Sequence, residues 1–245
     1  MAIADFPLAN GCVSVAGSFG GAEDLRRAGA PEVRAACDIA EIRLDLLAGD
    51  AGTVDSAAWR HLADMPLMFT ARRGDEGGHG NLTATARMEL LERVLHDAAC
   101  IDIEVASIPE MGGLLETVRT RGIPWIASFH DFGKLPDTAV LEDAARRARE
   151  AGASVFKAAA MLHSPADMAR LADFQLADHG IPVATMGMGP LAPVSRLLCA
   201  QCGSVLNYGY LGETPTAPGQ WDAAFLKQAI ARLAALSGEK IGDRR

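Results

Sequence analysis

Lys157 lies in Ser154-Val155-Phe156-Lys157-Ala158-Ala159-Ala160, a run otherwise apolar enough for a buried strand. The chain has four lysines, Lys134, Lys157, Lys227 and Lys240, against nineteen arginines, so it hardly relies on lysine for surface charge. A desolvated lysine has a use that arginine lacks, because it can shed its proton and become a nucleophilic amine. The plain alternative is a strand-end lysine whose stem packs while its head reaches water. His130, ending the run 124–130, offers the complementary chemistry, since an imidazole takes and returns a proton near neutral pH. A lone histidine there equally fits a core imidazole satisfied by backbone. His61, His79, His96, His163 and His179 fall in helix-like or loop segments.

These residues depend on the elements that must position them. Eight apolar, β-branched or aromatic runs bounded by Gly, Pro or Asp read as strands: 11–17, 37–46, 67–72, 100–106, 124–130, 154–160, 182–188 and 204–210. Between them lie Ala- and Leu-rich stretches at helical spacing, clearest at 84–98, 138–151, 165–178 and 221–236. Gly122, Gly152 and Gly180 fit residues that end a helix in the left-handed conformation. Eight such alternations over residues 1–245 match a single-domain (β/α)8 TIM barrel with a loose tail at 240–245. An open doubly wound sheet is the structural competitor.

A barrel carries its chemistry at the C-terminal ends of its strands, and the unusual polar residues fall there. Glu41 and Arg43 interrupt the second run, Arg72 ends the third, and Asp102 and Glu104 lie in the fourth. Lys157 lies in the sixth, Met186 and Met188 end the seventh, and Arg196 and Gln220 follow the seventh and eighth. Burying so many ionisable groups is costly unless they are paired or used.

The 245 residues are 49% apolar and 22% charged, which fits a folded chain with a sizeable core. A net charge of −8 argues against a nucleic-acid partner and leaves any anionic ligand to local arginines. No apolar run reaches membrane-spanning length. The segment Met1 to Asn10 carries an acid and no base, unlike a secretory signal, and five cysteines fit reduced thiols in the cytoplasm. Cys199-Ala-Gln-Cys202 has no second ligand pair nearby and reads as two semi-buried helix thiols in preference to a zinc or redox site.

Six segments taken in order resemble the type I 3-dehydroquinate dehydratases. They are Glu41-Ile42-Arg43-Leu44-Asp45, Thr70-Ala71-Arg72 with Glu76-Gly77-Gly78, and Ser128-Phe129-His130-Asp131-Phe132. The others are Phe156-Lys157 with Met161, Met186-Gly187-Met188 through Ser195-Arg196, and Ala217-Pro218-Gly219-Gln220. Any one piece is common, but six in order at barrel-like spacing are specific. The resemblance implies a homodimer that dehydrates 3-dehydroquinate to 3-dehydroshikimate in the shikimate or quinate pathway. It implies no metal and no organic cofactor, while the charge and hydropathy above speak against a nucleic-acid or membrane partner.

Lys157 would form an imine (a Schiff base) with the substrate ketone, His130 would shuttle the protons, and Glu76 would orient the imidazole. Arg196 is matched to the residue that holds the substrate carboxylate, a task suited to a two-pronged guanidinium. Ser14, Glu41, Arg43 and Arg72 would bind the rest, Met186 and Met188 would line the ligand, and Thr216 and Gln220 would close over it. Two positions depart from the family pattern, Thr216 replacing serine and Ala192 replacing glycine. Asp45, Asp102 and Glu104 are expected to support this set without a direct role.

Two other functions fit a barrel. A class I aldolase or transaldolase also uses a lysine imine, and a phosphorylated substrate would call for a glycine-rich cradle after the last two strands. Gly187-Met188-Gly189 and Gly209 are a faint hint of one. A non-catalytic binding barrel would need neither an amine nor a proton shuttle. Gly17-Ser18-Phe19-Gly20-Gly21 lacks the spacing of a dinucleotide loop and reads as a strand-to-helix turn.

Overall fold

The structure is a computed structural model and describes residues 13–48 and 54–236. The expected tail at 240–245 and the first two residues of the expected run 11–17 lie outside the described residues. The strands are β1 (Ser14–Phe19), β2 (Ile39–Arg43), β3 (Leu67–Thr70) and β4 (Cys100–Glu104), then β5 (Trp125–Asp131), β6 (Val155–Met161), β7 (Val183–Met188) and β8 (Leu206–Leu211). Helices α1 (Ala22–Arg27) and α2 (Ala30–Ala36) follow β1, and α3 (Leu44–Ala48) springs directly from β2. The later strands are followed by α4 (Ala84–Val94), α5 (Gly112–Arg121), α6 (Thr138–Glu150), α7 (Pro165–Leu176), α8 (Ala192–Gln201) and α9 (Ala223–Leu236).

All strand pairs are parallel, in the order β7-β6-β5-β4-β3-β2-β1-β8. The hoop is drawn shut between β7 and β8, where Val205 N–H donates to the Val183 carbonyl at 3.1 Å. At the same seam the Ser204 hydroxyl oxygen accepts Thr185 N–H at 3.2 Å, a side chain doing what a strand ladder does elsewhere. This is the expected (β/α)8 barrel. No helix among the described residues is long and apolar enough to cross a membrane.

Side chains alternate between the two faces of a strand, and here the alternation separates packing from chemistry. Ala40 and Ile42, Ile101 and Ile103, and Phe156, Ala158 and Ala160 belong to the core packed under the helices. The other parity faces the barrel interior, where Ala16, Ile39, Met68, Cys100, Ile126, Val155, Ala184 and Leu206 form an apolar cluster. Two residues further along the same strands come Ser18, Glu41, Thr70, Asp102, Ser128, Lys157, Met186 and Tyr208. Arg43, Glu104, His130 and Met188 follow one step later. The ionisable side chains therefore stand at the C-terminal mouth above a dry floor.

Gly122 and Gly152 end their helices at positive φ, as their positions imply, whereas Gly180, also at positive φ, lies in the turn beyond α7, which closes at Ala177 in extended conformation. The expected second strand stops at Arg43 instead of running to residue 46. The cause is Asp45, whose carboxylate accepts from the Arg43 guanidinium at 2.8 and 2.6 Å and from the backbone N–H of Arg72 (3.2 Å) and His79 (2.9 Å), fixing the turned chain. The glycines that hinted at a phosphate cradle are packing residues. A Cβ on Gly209 would lie 2.4 Å from the Ala223 Cα, and one on Gly187 would meet Leu162 Cδ1 and Ser195 Oγ.

These contacts rank two substitutions. Gly152→Ala, at φ +80° but in open space, should cost about 1 kcal/mol from backbone strain alone. Gly209→Ala, which must push α9 off β8, should cost at least about 2 kcal/mol. Urea unfolding midpoints check the order, and equal losses would remove the close helix–strand approach as its cause.

Candidate active site

A cleft of about 470 Å³, counting its open mouth, enters the barrel at the C-terminal ends of the strands. A larger cleft at the other end of the barrel has Arg60, His96, Asp97 and Arg121 in its lining, and none of the ionisable strand residues reaches it.

Lys157 is 4% exposed, and its Nζ lies 3.0 Å from Asp102 Oδ2. Asp102 Oδ1 in turn lies 2.9 Å from Arg72 Nη1 and accepts from the Ser128 hydroxyl at 2.6 Å. Burial would raise the Asp102 carboxyl, but Arg72 and Lys157 together hold it well below the usual carboxylate range. For Lys157 burial wins. It pulls the amine below the ordinary lysine value against the opposing pull of Asp102, and Arg72 adds to the fall. An amine so placed reaches its nucleophilic form at lower pH than an exposed one.

His130, ending β5, is held by Glu76 from the loop after β3. Glu76 Oε2 accepts the His130 backbone N–H and meets ring Nδ1, each at 2.9 Å. Burial keeps the imidazole well below the ordinary histidine value, helped by the nearby Arg72 and Lys157. Burial also pushes Glu76 up to about 7, with Arg72 pulling it down and Glu104 pushing it up. With Glu76 ionised, Nδ1 carries the proton and the Nε2 lone pair is available as a base. One further proton on the pair removes that lone pair.

Arg196, in the second turn of α8, is 1% exposed. Its Nη1 donates to the Tyr208 carbonyl at 2.5 Å and lies 3.7 Å from Met186 Sδ, while its buried Nε has no partner. No ion pair to Arg196 occurs among the described residues, and burial pushes the guanidinium down to about 10. The other buried cations, Arg43, Arg72, Arg87 and Lys157, each have a carboxylate. A dry guanidinium lacking one carries an uncompensated charge that an anion could offset.

The remaining groups frame the mouth. Glu41 accepts from Ser18 and, at 2.8 Å, from Thr70. Arg43, besides its bonds to Asp45, donates to the Gly77 carbonyl at 3.1 Å. Arg72 is further held by Glu104 at 2.9 Å. Gln220 Oε1 accepts the Thr216 N–H at 2.9 Å and its hydroxyl at 2.8 Å, so threonine fills the serine position with its hydroxyl engaged. Gly189 N–H donates to the Pro218 carbonyl at 3.0 Å, which fastens this closing loop to the loop after β7. Ala192 opens α8 at negative φ, so glycine is not required there.

Ser14 is the exception among the expected site residues. It shares the inward parity of Ser18, but strand register pairs Ser18 with Glu41 and leaves Ser14 four residues back, roughly 13 Å lower in the barrel. Ser18 lines the cleft in its place. Glu41, Arg43, Arg72, Glu76, His130, Lys157, Met186, Met188, Arg196, Thr216 and Gln220 all line it. Tyr208 and Phe132 line it too, neither singled out by the sequence reading. Tyr208 had one local signal, an aromatic ring at an inward-facing strand position.

The family model for type I 3-dehydroquinase matches residues 12–237. The chain belongs to the type I 3-dehydroquinase family. Its relatives include the 3-dehydroquinate dehydratase of Haloquadratum walsbyi, 33% identical over 207 residues that cover 80% of this chain and 84% of that protein. That of Methanocella arvoryzae is 35% identical over 185 residues, 75% of this chain and 81% of that one. The crystal structure of 3-dehydroquinate dehydratase from Geobacillus kaustophilus matches with a TM-score of 0.81 at 26% identity, covering 92% of each chain.

If the Glu76–His130 pair acts in the reaction, activity should depend on pH in a defined direction. Activity should fall as pH drops through about 7, where the pair takes up its extra proton. In Glu76→Gln only the imidazole titrates, and it is held below its ordinary value, so the acid limb of kcat/KM should move to lower pH. The rate should also fall about tenfold or more as the orienting charge is lost. A limb that stays where it is in the wild type removes Glu76 from the pair.

Proposed function

We propose that the chain converts 3-dehydroquinate to 3-dehydroshikimate through an imine on Lys157, with His130 moving the protons. The observation that carries the reading is one cleft shared by an amine held below its ordinary pKa and an imidazole held neutral against Glu76. Lys157 adds to the substrate ketone, water is lost, and the nitrogen carries a single positive charge as a protonated imine. That cation is the electron sink. His130 Nε2 takes a proton from the neighbouring carbon, and the C–H pair moves inward to give a neutral enamine. The pair then returns, the bond to the hydroxyl one carbon further on breaks, and the imidazolium gives back its proton so that water leaves. Hydrolysis of the conjugated imine releases the enone and restores the amine. The imine provides the sink that a metal ion provides in other lyases.

Arg196 suits the substrate carboxylate, because that anion would fill the place of the counter-ion it lacks. Glu41, Arg43 and Arg72 suit the hydroxyls, Met186 and Met188 the carbon skeleton, and Thr216 with Gln220 the closure. Ser18 joins this set in place of Ser14. The homodimer rests on the family resemblance, and the cytoplasmic setting on the cysteines and the segment Met1 to Asn10.

Borohydride added during turnover should fix product-derived mass on the peptide containing Lys157. Mass on the Lys134 peptide, with Lys157→Ala still active, would sink the assignment. Arg196→Lys keeps the charge but not the two-pronged contact, so KM should rise on the order of tenfold or more. Unaltered KM and kcat in that variant would move the carboxylate to Arg43 or Arg72.

A further inference from the structure

Tyr208 is one of two tyrosines in the chain, and the reaction as written above does not use it. It stands on the inner face of β8, two residues above Leu206 of the apolar floor. Lys157 Nζ lies over its ring, 4.0 Å from the centroid. Its phenol hydroxyl reaches Met68 Sδ at 3.7 Å, deeper in the barrel. Burial, with Asp102 and Glu41 adding to it, holds that phenol well above the ordinary tyrosine pKa, so the residue offers a neutral π face and no phenolate.

The nitrogen of Lys157 is thus flanked by a carboxylate at 3.0 Å and an aromatic face at 4.0 Å. The charged and titratable groups around it are Asp102 and Cys100 from β4, Glu41 from β2, Arg72 beyond β3 and His130 from β5, besides Tyr208 itself. Burial and Arg72 oppose a positive nitrogen, whereas Asp102, Glu41 and the ring favour one.

We propose that Tyr208 is a further catalytic residue, whose ring face stabilises positive charge on the Lys157 nitrogen, first as ammonium and then as protonated imine. The proposal rests on the Lys157 imine of the preceding section. An imine is a weaker base than the amine it came from, and burial beside Arg72 weakens it further. An unprotonated imine is a poor electron sink. A second carboxylate would also hold the charge, but it would trap the resting lysine as ammonium and accept the proton itself. A π face stabilises the cation and offers the proton no place to go. The nitrogen is positive in the first imine, neutral in the enamine, and positive again as water departs. The ring therefore assists the departure step, where charge returns to the nitrogen beside it.

The test varies the electrostatics of the ring at nearly constant shape. Phenylalanine and its 4-fluoro, 3,5-difluoro and pentafluoro forms are placed at position 208 of the full chain, each with its melting temperature checked. The kcat for 3-dehydroquinate should fall stepwise with fluorine number, by on the order of tenfold across the series. KM should move little, because the backbone carbonyl that holds Arg196 is common to every variant. The acid limb of borohydride trapping should shift to lower pH along the same series, since a weaker ring favours the free amine. Tyr208→Leu should behave like the most fluorinated ring, and Tyr208→Phe should recover most of the loss. A flat kcat and an unmoved limb across folded variants would make Tyr208 plain packing and overturn the proposal. Absence of trapped mass on Lys157 in the wild type would instead overturn the imine itself, a result read before any variant is made.

Discussion

Asp102 lies between the guanidinium of Arg72 and the amine of Lys157, with the Ser128 hydroxyl donating to it at 2.6 Å, and it is the anionic partner both cations share. Removing one partner from such a cluster typically costs about 3–5 kcal/mol, because an uncompensated charge is left in a dry interior. Asp102 also sets the reactivity of the lysine. It stabilises the ammonium while burial and Arg72 destabilise it, and the amine is left between those limits. Glu104 extends the same network outward. It takes Arg72 at 2.9 Å and Arg87 of α4 at 2.8 Å, so the charged mouth is tied to the outer helix layer.

Much of this was legible in the sequence because strands have a short period. Lys157 stands out in β6, and Glu41 and Arg43 in β2, because an ionisable residue at an inward position of an apolar run has few plain explanations. What sequence could not give is depth. Ser14 and Ser18 share a face, and the choice between them depends on the register of β1 against β2, which pairs Ser18 with Glu41 23 residues away. The early end of β2 was hidden for a similar reason. Local pattern favours a strand through Leu46, while Asp45 is claimed by N–H groups from Arg72 and His79, remote in the chain.

Tyr208 shows a third kind of blindness. An aromatic in a strand reads as core, and by burial it is core. Its chemical interest comes from the group facing it across the barrel, from β6, and no local window contains both. Arg196 was assigned through family resemblance alone, since an arginine in an amphipathic helix is ordinary. Its isolation from carboxylates is visible only when all neighbours are in place.

That isolation ties folding to binding. Arg196 carries a charge in a dry setting with a carbonyl, a sulfur and an unpaired Nε for company, so on the proposed reading an entering carboxylate would offset an electrostatic cost borne by the empty barrel. A ligand that binds only the folded form deepens its stability by RT ln(1 + [L]/Kd), about 2.7 kcal/mol at a hundredfold excess over Kd. The protein would then be least robust when it has nothing to do, and its working pool of ligand would act as a chaperone in the thermodynamic sense.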